Sequence, residues 1–409
     1  MNMMGIRCTK DKCTGCGACY ALCPTGAITM CRDEEGFLYP DIDNSKCIEC
    51  KICNSICPSL NNPYINSSDF AQEYYAAQHM DEDILAMSSS GGVYSALSEI
   101  ILRQGGVVYG VSFSSDYNQV IYDRVEDERH IDSHRGSKYV QADFSDMYGA
   151  VYEDIVADRF VMVSGTPCQI SGLKSYLTCR RVDCSKLYTC DCICHGVASP
   201  KIWSDYISNI KKGIADCYSH MEYSFRDKTD GWHGFRRAIR IDGRNITKEI
   251  DPDDAFFNLY STAYIVRPSC YSCQYSRYSR CSDITMGDFW NVGKYIPEMN
   301  DDRGTSEVLV NTAMGKKLLD AAEDSLKVCE CSMKAVWQPH LEYPSNVNQN
   351  GRKRFWNCYY SGGFDRVSQR YGRGNIMSRI KRIMVPLAKK TGLYVLLGRI
   401  YRVFCVHVR

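Results

Sequence analysis

Eight cysteines near the start of the chain fall into two copies of one spacing. The first is Cys13-x2-Cys16-x2-Cys19-x3-Cys23-Pro24 and the second is Cys47-x2-Cys50-x2-Cys53-x3-Cys57-Pro58. The whole chain has 409 residues and 24 cysteines, so thiols are its compositional anomaly. Disulfides are the ordinary use of many cysteines, but they need an oxidising compartment. The start, MNMMGIRCTKDKC, lacks the apolar h-region of a secretory signal. No uncharged apolar run reaches the roughly 18 residues of a bilayer-spanning helix. The expected setting is therefore a reduced cytosol, where clustered thiols carry metal or redox chemistry.

A thiolate is a soft ligand, suited to iron–sulfur clusters or zinc. The run C-x2-C-x2-C-x3-C-P is the signature of bacterial two-cluster ferredoxins, in which the fourth cysteine serves the other cluster. Short spacings let one loop wrap three corners of a cube, and the proline turns the chain away. Small residues between ligands (Gly15, Gly17, Ala18) let backbone N–H groups approach the sulfides. One 4Fe–4S cluster is thus expected on Cys13, Cys16, Cys19 and Cys57, and a second on Cys47, Cys50, Cys53 and Cys23. Zinc sites use two separated cysteine pairs more often than such triplets. Two such clusters make an electron wire and need a redox centre downstream.

Residues 1–60 read as one α+β ferredoxin-like domain, with short strands in GAITM and GFLYPDI, and 61–71 as a Pro, Asn and Ser-rich linker. From about Glu73 strand and helix patterns alternate: YYAAQ, SSSGGVYSALSEIILRQGG, VVYGVSF, RFVMVSG, TPCQISGLKSYL and KLYTCDCICHG. In the fifth stretch Ile170, Leu173 and Leu177 share a helix face. This alternation predicts an α/β domain over 72–345 with a parallel or mixed sheet. A basic helical region follows over 346–409. Apolar content of 44% and a net charge of +1 describe an ordinary globular protein with no field to attract nucleic acid.

Four downstream stretches carry more than packing. In SSSGGVY (88–94) two glycines at a helix start leave bare N–H groups for a pyrophosphate, unless Ser89 or Ser90 simply caps the helix. HRGSKYV (134–140) is a Gly-Ser-Lys turn suited to a phosphate or a flavin ring. VSGTPCQ puts Cys168 where a strand ends and a helix begins, a ligand-binding place in α/β sheets that favours thiolate. RPSCYSC carries the pair Cys270 and Cys273, with Cys281 nearby.

The motifs GTPCQ, CHGVASP, RPSCYSC and SDITMGDFW, in this order behind a two-cluster ferredoxin module, give the specific match. Over residues 8–300 the chain resembles the coenzyme F420 hydrogenase/dehydrogenase beta-subunit family. The resemblance implies FAD and a third 4Fe–4S cluster in the 72–345 domain, the cluster on Cys168, Cys194, Cys270 and Cys273. Cys190, Cys192 and Cys281 are near enough to compete for those roles. It also places FAD against Ser90, Gly91, Gly92, Ser137, Lys138 and Tyr139. No G-x-G-x-x-G follows a strand, so a Rossmann fingerprint is not the means. A cation such as Lys138 beside a flavin favours its anionic reduced form.

His195, with Lys138, is a catalytic candidate; His195 and His233 are proton donors or plain hydrogen-bonded groups. Asp283 and Asp288 read as turn or helix-cap residues. Cys8, Cys31, Cys179, Cys184, Cys217, Cys329, Cys331, Cys358 and Cys405 lack partner spacing, and most of them read as small buried hydrophobes. Residues 376–409 carry eight Lys or Arg, no acidic residue and apolar positions at helical spacing. That pattern suits an anionic membrane surface, at the inner face of the membrane, or packing on the protein or on a partner.

The functional expectation is a cytoplasmic iron–sulfur flavoprotein oxidoreductase. It would link a ferredoxin or other redox partner to a small-molecule hydride donor or acceptor, coenzyme F420 being what the resemblance implies. The alternatives are a non-catalytic electron-transfer subunit and a zinc-binding scaffold.

Overall fold

The repeat in cysteine spacing becomes a repeat in backbone. In the computed structural model, which describes residues 5–61, 70–214, 218–251 and 253–373, each cysteine triplet runs into a one-turn helix. These are Ala18–Ala21 and Ile52–Ser55. The residue before each helix is left-handed: Gly17 at φ 84° and Lys51 at φ 61°. A side chain there costs roughly 1–2 kcal/mol. Lys51 bears that on an exposed face. Gly17 has no such room, because a Cβ would lie 2.7 Å from the Ser145 Oγ of the following domain. Strands β1 (Ile28–Arg32) and β2 (Leu38–Ile42) form the antiparallel hairpin expected from GAITM and GFLYPDI.

The chain then builds a large mixed sheet. Its strands, in chain order, are β3 (Glu73–His79), β4 (Val107–Phe113), β5 (Val120–Val125), β6 (Val161–Gly165) and β7 (Leu187–Cys192). An inserted unit follows, with β8 (Met221–Asp227), β9 (Arg236–Ile241) and β10 (Arg244–Asn245). β11 (Ile284–Asp288), β12 (Ser306–Val310) and β13 (Leu326–Cys331) complete the main sheet. Its order is β13-β3-β12-β11-β7-β6-β4-β5. β4, β6, β7 and β11 are parallel, and the flanking pairs are antiparallel.

Side-chain alternation on the central strands explains the two helical layers. Val108 and Met162 face the layer containing Leu97, Ile101 and Leu318. Val107, Tyr109, Val161 and Val163 face Val151, Ile155, Ile170 and Leu173 on the other side. Ile170, Leu173 and Leu177 are all buried on the helix Pro167–Arg180, as their spacing predicts. The small sheet β10-β9-β8 has no counterpart in the sequence reading. It is held by aromatic packing: Trp203 is fully buried, with Phe225 and Phe256 rings 5.1 and 5.0 Å away.

Three expectations are corrected. The helix after SSSGG starts at Val93, capped by the backbone of left-handed Gly92 and by no serine side chain. Asp283 caps no helix; its carboxylate accepts from Thr189 N at 2.8 Å and from Thr312 Oγ1 at 2.7 Å, tying β7 to the end of β12. Asp288 ends β11 and pairs with buried Arg226 at 2.6 Å. In the C-terminal region the helix Gln349–Tyr371 forms, broken at Gly363. The basic tail 376–409, linker residues 62–69, Cys217 and Cys405 lie outside the described residues. No helix among the described residues is long and apolar enough to cross a membrane.

Candidate redox site: a cysteine-lined cavity behind two thiol quartets

The turns at the carboxyl ends of β6 and β7 deliver two thiols. Cys168 is the second residue of the helix Pro167–Arg180, directly after β6, and Cys194 lies two residues past β7. The helix start is held by Thr166, whose N–H donates to Gln169 Oε1 at 3.1 Å. The 3₁₀ turn Pro268–Ser272 brings Cys270 and Cys273 to the same place. The charge of each of Cys194, Cys270 and Cys273 is felt at Cys168, and burial in the first place pushes the Cys168 thiol up. Gly196 (φ 95°) makes this approach feasible, since a Cβ there would lie 2.6 Å from Val266 and 3.3 Å from the Cys270 Cβ.

All four thiols line one cavity of about 580 Å³. It is lined as well by Ser88, Ser89, Ser90 and Gly92 and by Gly136, Ser137, Lys138 and Tyr139. These two stretches are distant in sequence but joined in space, Ser137 N donating to Ser89 Oγ at 2.7 Å. Gly91, also expected at the cofactor, does not line the cavity. Its N–H donates to Ser306 Oγ at 2.9 Å, and a Cβ would lie 2.1 Å from the Ala77 carbonyl. It is glycine because two backbones cross there.

Lys138 Nζ donates to the carbonyls of Ser133 (2.8 Å) and Arg135 (2.9 Å), and burial lowers its pKa to about 7. The Tyr139 ring packs edge-on against Phe225 and Phe257, both 5.3 Å away. His195 lines the cavity and stacks on His340 at 4.0 Å, its Nε2 3.4 Å from Gln338 Oε1. Burial holds its pKa below the ordinary value, which makes neutral imidazole the resting form. His233 is exposed and pairs with Asn300 at 2.9 Å, outside the cavity lining.

The competing cysteines separate by environment. Cys190 also borders the cavity but is fully buried, in the layer with Val108 and Ile284. Cys281 is buried and donates to the Pro167 carbonyl at 3.2 Å. Cys192 borders the cavity and is exposed.

The N-terminal thiols assemble across the two sequence copies. Cys16 and Cys19 sense Cys13 and Cys57, while Cys53 senses Cys50, Cys47 and Cys23. The first group faces the main domain. Tyr148 Oη donates to the Cys16 carbonyl at 2.7 Å, and Gln274 Nε2 donates to the Pro58 carbonyl at 2.8 Å. The second group faces outward, Cys50 being exposed. Cys13 is drawn down to about 6, first by its neighbour Cys8 and then by Arg267. Cys8 is buried, as read from the sequence, but its place beside Cys13 and Cys57 has no sequence signal. Among the described residues no three His, Cys, Asp or Glu side chains are arranged to hold a single metal ion. Two further residues missed by sequence reasoning pin the site. Buried Arg280 pairs with buried Asp191 at 3.0 Å and donates to the Cys192 carbonyl at 2.9 Å. Arg267 is the other.

Known proteins match two parts of the chain. A 4Fe-4S dicluster domain matches residues 12–61, and the C terminus of the coenzyme F420 hydrogenase/dehydrogenase beta subunit matches residues 158–335. The beta-subunit match takes in 178 of the 409 residues and includes Cys168, Cys194, Cys270 and Cys273. A subunit of the F(420)H(2) dehydrogenase of Methanosarcina mazei is 23% identical over 335 residues, spanning 78% of this chain and 85% of the relative. An uncharacterized ferredoxin of Methanocaldococcus jannaschii is 42% identical over 50 residues, 12% of this chain and 64% of the relative. A chain of the F420-reducing NiFe hydrogenase complex from Methanosarcina barkeri has 16% identity and a TM-score of 0.45, covering 75% of this chain and 92% of that one. The chain is an iron–sulfur electron-transfer protein with a ferredoxin domain at its start, related to these beta subunits.

Proposed function

We propose that this chain is an iron–sulfur flavoprotein oxidoreductase. It links a one-electron carrier, a ferredoxin or other redox protein, to a small molecule that gives or takes a hydride. One observation carries the reading: a single cavity is bordered both by Cys168, Cys194, Cys270 and Cys273 and by the SSSGG and GSKYV stretches. Its size, about 580 Å³, is within the range of cofactor pockets. The donor sets fit their groups: soft thiolates in fours for clusters, and backbone N–H groups, a lysine and a tyrosine ring for a flavin. When bound, the clusters supply one-electron storage and FAD supplies exchange between one- and two-electron chemistry.

The chain's own residues bind and orient. Cys13, Cys16, Cys19 and Cys57 hold an inner cluster, and Cys23, Cys47, Cys50 and Cys53 an outer one. Ser90, Gly92 and Ser137 offer polar and backbone groups to phosphate or ring edge, and Tyr139 forms an aromatic wall. Lys138, with its pKa near 7, can keep or release a proton at Nζ close to neutrality. Neutral His195 holds a proton on one ring nitrogen at the cavity edge. The outward face of the outer quartet suits a redox partner. Coenzyme F420, part of the name of the M. mazei relative, is the first candidate for the hydride partner. Free thiols throughout the described residues suit a reducing cytoplasm.

A second reading, an electron-transfer subunit without chemistry of its own, is favoured by the M. mazei relative, which is one subunit of a dehydrogenase. Anaerobic purification with iron, sulfide and flavin analysis separates the two. The flavoprotein reading expects equimolar FAD and reduction of a hydride acceptor by the isolated chain. Clusters without any flavin would leave the electron-transfer reading standing.

A further inference from the structure

Arg267 opens the RPSCYSC motif, three residues before Cys270, and it is 1% exposed. It borders the cavity and its charge reaches Cys270, but its hydrogen bonds run to the N-terminal domain and to Gln141. Nε donates to the Cys13 carbonyl at 2.9 Å, Nη2 to the Leu38 carbonyl at 2.7 Å and Nη1 to Gln141 Oε1 at 2.8 Å. It lies over the rings of Tyr39 (4.3 Å) and Phe37 (5.4 Å). Gly15, between Cys13 and Cys16, has no room for a Cβ because the guanidinium would be 2.8 Å from it. Gln141 completes the junction by donating to the Thr14 carbonyl at 3.1 Å. Its chain position is two residues past Tyr139 of the cavity wall.

All three acceptors of Arg267 are neutral, and among the described residues no carboxylate pairs with it. A buried cation without an anion is strongly unfavourable. The charge of Arg267 is felt at two thiols, Cys13 and Cys270, and of these it is the Cys13 loop that the guanidinium grips directly. We infer that Arg267 is the counter-charge of the inner cluster, joining the Cys13–Cys16 loop to the loop that carries Cys270 and Cys273 and raising the reduction potential of that cluster. Reduction adds one electron, and so one negative charge, without making or breaking a bond; a fixed cation beside the cluster favours the reduced form. Among the described residues the outer quartet has no comparable buried cation, so the bias runs inward, toward the cavity. Arg267 thus acts through position and charge, as a positioning residue. The inference rests on the assignment of Cys13, Cys16, Cys19 and Cys57 to one cluster.

The experiment is a redox titration of the anaerobically purified full chain, followed by electron paramagnetic resonance. It compares the unaltered protein with Arg267→Met and Arg267→Lys. Arg267→Met should make the inner cluster at least tenfold harder to reduce at a fixed potential, a shift of about 59 mV for one electron. The outer cluster should keep its potential. Arg267→Lys should show a smaller shift in the same direction, because lysine keeps the charge but not the fork. Should Arg267→Met fail to hold iron, the lysine variant decides. Unchanged potentials in a variant that holds its clusters, or equal shifts in both N-terminal clusters, would overturn the inference. Absence of two N-terminal cluster signals in the unaltered protein would instead overturn the cluster assignment beneath it.

Discussion

Cys16 of the inner quartet sits against Gly172 of the helix that begins at Pro167. A Cβ on Gly172 would lie 3.1 Å from the Cys16 Sγ and 2.7 Å from the Tyr148 hydroxyl. One helix therefore carries a thiol of the cavity site at its first turn and leaves space for an inner-quartet thiol at its second.

Gly172→Ala should overpack that contact at a cost of about 1–3 kcal/mol, more than the helical gain of replacing glycine. The expected outcome is a lower denaturation midpoint and reduced iron content. Gly149→Ala is the control, because nothing lies within 4 Å of its would-be Cβ. It should stabilise its helix by about 0.5–1 kcal/mol.

Cys57 and Cys23 exchange places between the two sequence copies. Cys57→Ser should perturb the cluster that contains Cys13, and Cys23→Ser the one that contains Cys47. Magnetic resonance of the reduced variants distinguishes the two signals. If Cys57→Ser altered the outer signal instead, each sequence copy would hold its own cluster.

The cavity cysteines should divide by function. Cys168→Ala, Cys194→Ala, Cys270→Ala and Cys273→Ala should each remove iron equivalent to one cluster. Cys190→Ala and Cys281→Ala leave Cys168, Cys194, Cys270 and Cys273 in place and should lose stability only, by roughly 1 kcal/mol each. Iron analysis beside a denaturation curve reads both effects.

Acid should weaken the fold before its carboxylates titrate. Burial pushes His134 down to about 3 and His340 down to about 4, against an ordinary value near 6.5. Below pH ~6.5 the unfolded chain binds protons that the folded chain refuses, so stability is complete above that pH and falls below it. The slope is about 1.4 kcal/mol per pH unit for each such histidine. His134→Gln should remove one histidine's share between pH ~6 and ~4.5, measured by denaturant melts across that range.

Spacing makes the N-terminal module legible because its ligands are local. Three cysteines within seven residues must share one loop, and the predicted hairpin strands follow from the same short range. The strands VVYGVSF and RFVMVSG are readable because strands paired in parallel and covered on both faces carry continuous apolar runs. Gly91 misleads because a glycine needed for a backbone crossing and one needed for a ligand look alike in sequence. Asp283 and Asp288 mislead for a similar reason: their partners, Thr189 and Arg226, are far away in the chain. The β8–β10 sheet rests on aromatic packing around Trp203, which has no local period.

By itself the sequence determined that the N-terminal thiols come in two closely spaced sets and that strands alternate with helices. Each of these depends on residues within a turn or two of one another. Only the tertiary structure decided that Ser89 meets Ser137, that Arg267 spans from the Cys270 loop to Cys13, and that all of them border or adjoin one cavity. Such meetings are set by how the sheet and its helical layers pack, and contacts between segments so far apart in the chain leave no spacing to read.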